Sequence, residues 1–420
     1  MNKLTGNKLV NNNSRLVIFA FVVTIIFQIT AYKAIWGIEL ASRLVNIAAI
    51  LIFSGYAIYS LFKFKFNENV IFFYYIPGGL VYIGSFINIS FWSILNTKVI
   101  NQYGLLIPWA TYLAIPVFVK FGKIDVSSLW RYYHNFMSVV VSISIIEYYF
   151  AFEGIVTTRP IVTSGGDFLA GYFSMFYPIG KGELHYRFYA SFMEPGTLAM
   201  FLLPAMAYAF LHRKYFALVI YFVAMFMSDS LGGFLGVAML IPLLIYFQFR
   251  RGILPIILSI LSVIFIVNFF VGEFIEQYEE KGDSRVDREV STFGAINNLP
   301  SLFLEYPWGL PITETTTQIQ QNRLYSGANF TPVNAFYLGG ILSFLGYLAV
   351  LLVSLWYAII SLARKDLSLD EKAAVATIFC LLPFIFQRTV VWDTSIYALM
   401  YAPFVINALR GAPSQQSTLI

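Results

Sequence analysis

Runs of about 20 apolar residues recur along the whole chain, and a helix of that length matches the thickness of a bilayer core. About twelve such spans are expected, roughly at residues 16–32, 44–62, 69–91, 103–120, 133–152, 195–211, 215–228, 232–249, 253–272, 333–362, 373–387 and 392–409. The seventh and eleventh are short, and the tenth is long enough to tilt or project. Backbone N–H and C=O groups find no water in hydrocarbon, so a span of this kind must satisfy them internally, as a helix does. The expected fold is therefore all-α: a polytopic membrane protein forming one integral membrane domain over residues 1–420. Apolar residues make up 59% of the chain and charged residues only 12%. That is about half the charged fraction of an ordinary soluble domain. The basic, polar stretch Met1–Arg15 followed by Leu16–Tyr32 could be a signal peptide, but the apolar run is long and no clear small-residue cleavage site follows it. It reads as a retained first span.

Lysine and arginine in short loops set orientation, because cytoplasmic loops carry the excess of both. With the N-terminus inside, the inward segments hold Lys3, Lys8 and Arg15; Lys63 and Lys65; Lys120, Lys123 and Arg131; Arg213 and Lys214; Arg250 and Arg251; Arg364, Lys365 and Lys372; and Arg410. The short outward turns hold few. The net charge of +5 is thus spent on orientation, and nucleic acid is not an expected partner. Both termini fall inside. Two long polar loops, about 153–193 and 273–331, then fall outside. Loops of that size usually carry function.

Cys380 is the only cysteine, so no intrachain disulfide forms. His134, His185 and His212 are dispersed and fit no zinc spacing. No internal repeat or low-complexity segment is visible. No metal and no other cofactor is expected.

Four constellations have the residue types for chemistry on an anionic substrate. The first is His185–Thr197. Pro195 suits the first position of a helix, and a residue before proline avoids helical geometry, so the sixth span should begin at Pro195 with Glu194 at its cap. The free N–H groups and positive dipole end there suit an anion. Arg187 lies just upstream, with His185 and Tyr189 on either side. This set reads either as a diphosphate cradle with a carboxylate beside it, or as an Arg187–Glu194 ion pair that holds the loop.

The second constellation, Ser228–Gly236, reads as helix cap plus small-residue packing through Gly232 and Gly236. Asp229 within it is a further candidate base. In the third, Arg285 and Arg288 share a face if helical and could clamp a phosphate beside Asp287, or could be a solvated charge run. In the fourth, Arg388 either pairs with Asp393 or completes the site. Two aromatic segments stand nearby. Asp167–Tyr177 reads as an interfacial helix or a glycan platform. Trp308, in Glu305–Pro311, reads as a sugar-stacking residue or a membrane packer.

In this order the pieces resemble the O-antigen polymerase (Wzy-type) family, which is related to the O-antigen ligases. The resemblance rests on Arg187–Ala199, Ser230–Gly233, Arg285 leading into Pro307–Trp308–Gly309, Asn334–Leu338 and the stretch Gly339–Gly346, within roughly residues 130–410. Ligases of this kind carry a histidine directly before the asparagine, and Val333 precedes Asn334 here, which favours polymerase. The resemblance implies a GT-C-like glycosyltransferase at the periplasmic face of the bacterial inner membrane. It would move a glycan from undecaprenyl diphosphate onto a lipid-linked repeat unit without a metal. Glu194, Asp229 and Asp287 are then the candidate bases. Arg187, Arg285, Arg288, His185, Tyr189, Asn334 and Arg388 are the candidate substrate ligands. The implied partners are the lipid-linked donor and acceptor, membrane lipid and a chain-length regulator protein. A ligase is the nearest alternative. A lipid-linked oligosaccharide flippase is an alternative of another class, disfavoured because charges within the spans are few, Glu147 being the clearest exception.

Overall fold

The structure is a computed structural model. It describes residues 35–37, parts of 44–59, 67–95, 103, 105–121, 126–163 apart from 157, 166–179, 185–248 apart from 193, 294, 296–310, 331–386 and 400–409. The expected spans at 16–32 and 253–272 lie outside these residues.

The chain is mostly helical. α1 runs from Glu68 through a π-helical turn at Ile71–Tyr75 to Leu95. α2 is Ile107–Phe121 and α3 is Val126–Phe152. After a small sheet come α4 (Pro195–Leu211), α5 (Tyr215–Ser228) and α6 (Leu231–Gln248). A helix over 296–305 is α7. α8 is Thr331–Ala363, α9 is Leu369–Cys380 with a 3-10 turn at Leu382–Phe386, and α10 is Ala402–Leu409. Three of these, Glu68–Ile94, Val126–Phe152 and Thr331–Ala363, are long and apolar enough to cross a membrane.

Exposed apolar stripes show what the bundle is solvated by. Val139, Ile143, Ile146 and Phe150 on α3, and Phe216, Val219, Val223 and Phe226 on α5, are all exposed at steps of three and four. One helix face per stripe is therefore apolar and uncovered. Water-soluble surfaces rarely hold such continuous patches, and hydrocarbon accommodates them. α4 is apolar around its whole circumference and nearly every residue in it is buried. A helix of that kind belongs at the centre, and α3, α5, α6 and α9 surround it.

α1 and α8 pack through small residues. A Cβ on Gly84 would lie 2.5 Å from the Gly339 carbonyl oxygen and 2.7 Å from Ser343 Oγ. Ser343 Oγ donates to the Val81 carbonyl at 3.0 Å, and Ser85 and Ser343 share a hydroxyl contact at 3.2 Å. Lipid offers no hydrophobic drive between helices, so close backbone approach and such bonds hold them together. Gly84→Val is therefore expected to pry α1 from α8, at a cost of about 1–3 kcal/mol or more. Gly79→Val, with nothing within 4 Å of its Cβ, should leave thermal unfolding in detergent unchanged. Equal midpoints for the two variants would refute this packing.

α8 is broken where it meets α1. Gly339 (φ −153°, ψ 21°) and Gly340 (φ 67°, ψ −157°) leave helical geometry, and Gly340 occupies a region that a side chain disfavours. The turn after α7 fills the break. Leu310 N–H donates to the Tyr337 carbonyl at 2.9 Å and Ile341 N–H donates to the Pro307 carbonyl at 3.0 Å. Asn88, wholly inside, donates Nδ2 to the carbonyls of Leu338 (3.0 Å), Leu310 (3.2 Å) and Tyr337 (3.4 Å). Backbone freed from a helix inside a membrane is tolerated when such partners satisfy it.

The largest departure from expectation is the first long loop. It is not a polar excursion in an all-α protein. It folds as a four-stranded antiparallel meander: β1 (Arg159–Thr163), β2 (Gly166–Ala170), β3 (Met175–Ile179) and β4 (His185–Phe188). The aromatic segment expected as an interfacial helix supplies β2, the β2–β3 turn and the start of β3. Ile161, Val162, Phe168, Phe176, Tyr177 and Tyr186 are strand formers punctuated by glycine and serine. A second departure is at 373–387. Pro383 disfavours helix in the residue before it, so α9 stops at Cys380 and a 3-10 turn follows.

The bundle has two distinct ends. At one, Asp370 in the capped first turn of α9 accepts from Ser127 Oγ of α3 and pairs with His212 Nε2 at 3.0 Å. Arg364 lies at the same end, paired with Asp366 and Glu371. The sheet lies at the other end.

Candidate functional site

The sheet is fastened to the bundle by Glu147, near the end of α3. This buried carboxylate accepts the N–H of Tyr172, and both of its oxygens accept the N–H of Phe173 at 3.1 and 3.0 Å. Gly171, which begins this β2–β3 turn, sits so close that a Cβ there would lie 2.5 Å from Glu147 Oε1. Trp36 Nε1 donates to the Tyr172 carbonyl at 2.9 Å and Ser191 Oγ donates to the Phe173 carbonyl at 2.6 Å. A carboxylate inside an apolar run was visible in the sequence as a costly feature. Its use, catching the tip of a sheet, was not. Asn88 gave even less signal, being one polar residue among many in its span.

From this anchor the chain is led to the candidate residues. β4 carries His185 and Arg187, in register with Ile179 and Tyr177 of β3. It lies against α5, and Phe188 packs edge-on to Tyr148 of α3, 5.6 Å between ring centres. A tight turn follows: Phe192 N–H donates to the Tyr189 carbonyl at 3.0 Å, with Ala190 in the left-handed region at φ 49°. Tyr189 is buried in this turn. Glu194 then stands at the N-cap of α4, extended at φ −151°, with Pro195 at the first helical position. The expected helix start is thus as the proline dictates. Glu194 is exposed and its carboxylate does not bond the first-turn N–H groups.

The α5–α6 corner comes to the same place. Asp229 adopts the left-handed conformation at φ 48°, which aspartate tolerates better than most residues. Ser230 Oγ accepts from Gly233 N–H at 3.3 Å and so caps α6, while Ser228 Oγ donates to the Met225 carbonyl at 2.7 Å. Gly233 lies against Met225 and Ala199, and Gly236 lies against Leu203 and the Cys380 carbonyl. Cap and packing are therefore what this motif does, with Gly233 and Gly236 as the close-approach glycines. Ala199 is one turn into α4, so the N-termini of α4 and α6 lie side by side, with Glu194 and Asp229 at their mouths.

Asn334 is in the first turn of α8 and half-buried. Thr331 Oγ1 donates to the Ile385 carbonyl at 3.1 Å, which brings that helix start to the same end. Three helix N-termini, those of α4, α6 and α8, thus open on one side, and each carries a partial positive charge. Trp308 is exposed. Arg285, Asp287, Arg288 and Arg388 lie outside the described residues. Comparison with protein-family models, with curated proteins and with solved structures yields no match to this chain.

Proposed function

We propose that the protein is a membrane-embedded glycosyltransferase that polymerises lipid-linked repeat units. The observation that carries the reading is the meeting, at one end of an apolar bundle, of the strand bearing Arg187 with the N-cap carboxylate Glu194 and the start of α4. The site chemistry suits a lipid diphosphate. An amphiphile of that kind has its reacting bond at the membrane boundary, and helix N-termini with arginine nearby offset the charge that grows on the leaving diphosphate. The order of motifs that resembles the O-antigen polymerases supports the same reaction class. Arg131, Arg213, Lys214, Arg364, Lys365 and Lys372 lie towards the opposite end, and by the positive-inside rule this supports a reading in which the sheet end faces the periplasm from the bacterial inner membrane.

In the proposed step an acceptor sugar hydroxyl attacks the anomeric carbon of the donor glycan. The new C–O bond forms as the C–O bond to undecaprenyl diphosphate breaks. The hydroxyl proton passes to a carboxylate, Glu194 or Asp229, and from there to solvent. The diphosphate leaves with both bonding electrons, held by Arg187 and by Arg285 from the second loop. The test is direct. Purified full-length protein in nanodiscs, given undecaprenyl-diphosphate-linked repeat units, should yield a ladder of products separated by one repeat. Repeat units that stay single with active substrate sink the proposal. Transfer onto lipid A core instead of a second repeat would make the protein a ligase.

A further inference from the structure

Part of the second long loop, expected to lie wholly outside the membrane, is built into the membrane-crossing bundle. The depth follows from helix geometry. On α1, Phe86, Ile87, Phe91 and Ile94 are exposed, Ile94 at 83%, so the lipid-facing surface of this helix extends to its last turn. Gly84 lies ten residues before Ile94, about 15 Å deeper along the axis at 1.5 Å per residue. Gly84 abuts Gly339 of the α8 break. The backbone of Pro307 and Leu310 is bonded across that break, to Ile341 and Tyr337. Residues 307–310 therefore sit roughly 15 Å inside the lipid-facing edge of α1.

α7 leads down to that point and has three faces. Leu299, Leu302 and Phe303 pack onto Val333, Phe336 and Phe344. Of the exposed remainder, one stripe is Ile296–Pro300–Leu304, continued by Trp308, in steps of four. The stripe beside it is Asn297–Ser301–Glu305, also in steps of four. Leu304 is 88% exposed and Trp308 58%. Leu304 is three residues before Pro307, so at 1.5 Å per residue it lies about 10 Å below the end of a lipid-facing helix, and a leucine that uncovered belongs in hydrocarbon. A glutamate at the next residue belongs in water. Two such stripes side by side on one descending helix mark a line where lipid and water meet.

We propose that residues 296–310 form a re-entrant element and that its paired stripes are the lateral entrance for an amphiphilic substrate. The long apolar chain of that substrate lies along Ile296, Leu304 and Trp308, continuous with the lipid-facing surface of α1. Its hydroxyl-rich head lies along Asn297, Ser301 and Glu305. Identifying the amphiphile as a polyprenyl-diphosphate glycan rests on the function proposed above. The re-entrant placement rests on geometry alone.

Spin labelling of the full-length chain in nanodiscs tests both parts. Cys380 is wholly buried, so a thiol label introduced at Leu304→Cys or Ser301→Cys reports its own position, with the unsubstituted chain as the control for background. The label at Leu304→Cys should be at least several-fold more accessible to oxygen than to a nickel chelate, and the label at Ser301→Cys should show the reverse order. Equal nickel access at the two sites overturns the re-entrant element. Undecaprenyl diphosphate should then broaden the Leu304→Cys spectrum and roughly halve its oxygen access, while the same molar amount of phospholipid should not. No response at Leu304→Cys in a variant that still polymerises overturns the entrance. A response in a protein that never polymerises repeat units upholds the entrance and removes the polymerase reading.

Discussion

Arg187→Ala is expected to abolish long-chain polymer while protein levels and thermal unfolding stay near those of the parent chain. Arg187 sits on β4, whose backbone is held by the β3 pairing and by the turn into α4, so losing its side chain should not unfold the strand. What is lost is a permanently charged, planar donor on the strand that leads into α4. Removing one preorganised donor to a developing anion typically costs about a hundred- to a thousandfold in turnover. Iterative synthesis compounds that deficit at every added repeat, so long products vanish first. Arg187→Lys should recover activity only in part, because an ammonium lacks the two-pronged guanidinium geometry. Arg285→Ala should show the same loss. Chain-length profiles of surface polysaccharide, read beside immunoblots of the protein, decide the matter. A full ladder from both alanine variants would remove the diphosphate cradle.

Glu147→Ala should have the largest effect on folding. The carboxylate takes the N–H groups of both Tyr172 and Phe173 in a buried setting. Hydrogen bonds to a charged group contribute about 1.5–3 kcal/mol each, and orphaned buried donors cost their desolvation besides, so a loss of about 3 kcal/mol or more is expected. Most of it should appear locally. The β2–β3 turn would come off α3, and the sheet would become open to protease between β1 and β4 while the bundle stays intact. Glu147→Gln keeps one acceptor oxygen but turns an NH₂ group towards an N–H, so it should fall between the two. Because the same sheet carries Arg187, polymer length should drop in parallel with protease sensitivity. A Glu147→Ala protein with a protected sheet and normal polymer would show that Trp36 and Ser191 suffice to hold the turn.

The helix positions were legible because hydrocarbon leaves a backbone no other partner. Apolar length alone therefore placed α1, α2, α4, α5, α6 and α8 to within about four residues and the end, though not the start, of α3, and Pro195 marked the start of α4 with Glu194 at its cap. Those statements depend on local chemistry: span length, the missing N–H of proline, and the bias of the residue before it. The serine caps around Asp229 were legible for the same reason.

What local chemistry could not reach is partnership. Whether Asp167–Tyr177 is helix or strand depends on β1 and β4 being available to pair with it. A carboxylate at position 147 is a cost in the sequence and an anchor only once the β2–β3 turn lies over it. Gly339–Gly340 is only a pair of glycines within an apolar span until Pro307, Leu310 and Asn88 supply the bonds that let the helix break. Leu304 and Glu305 are neighbours of opposite character in any reading of the chain. They become a boundary between lipid and water because tertiary bonds to α8 carry their helix below the membrane surface. Which segments must leave water is a sum over single residues and can be read along the chain. Which polar groups inside those segments meet is a property of pairs far apart in the chain, and it is settled only when the helices pack.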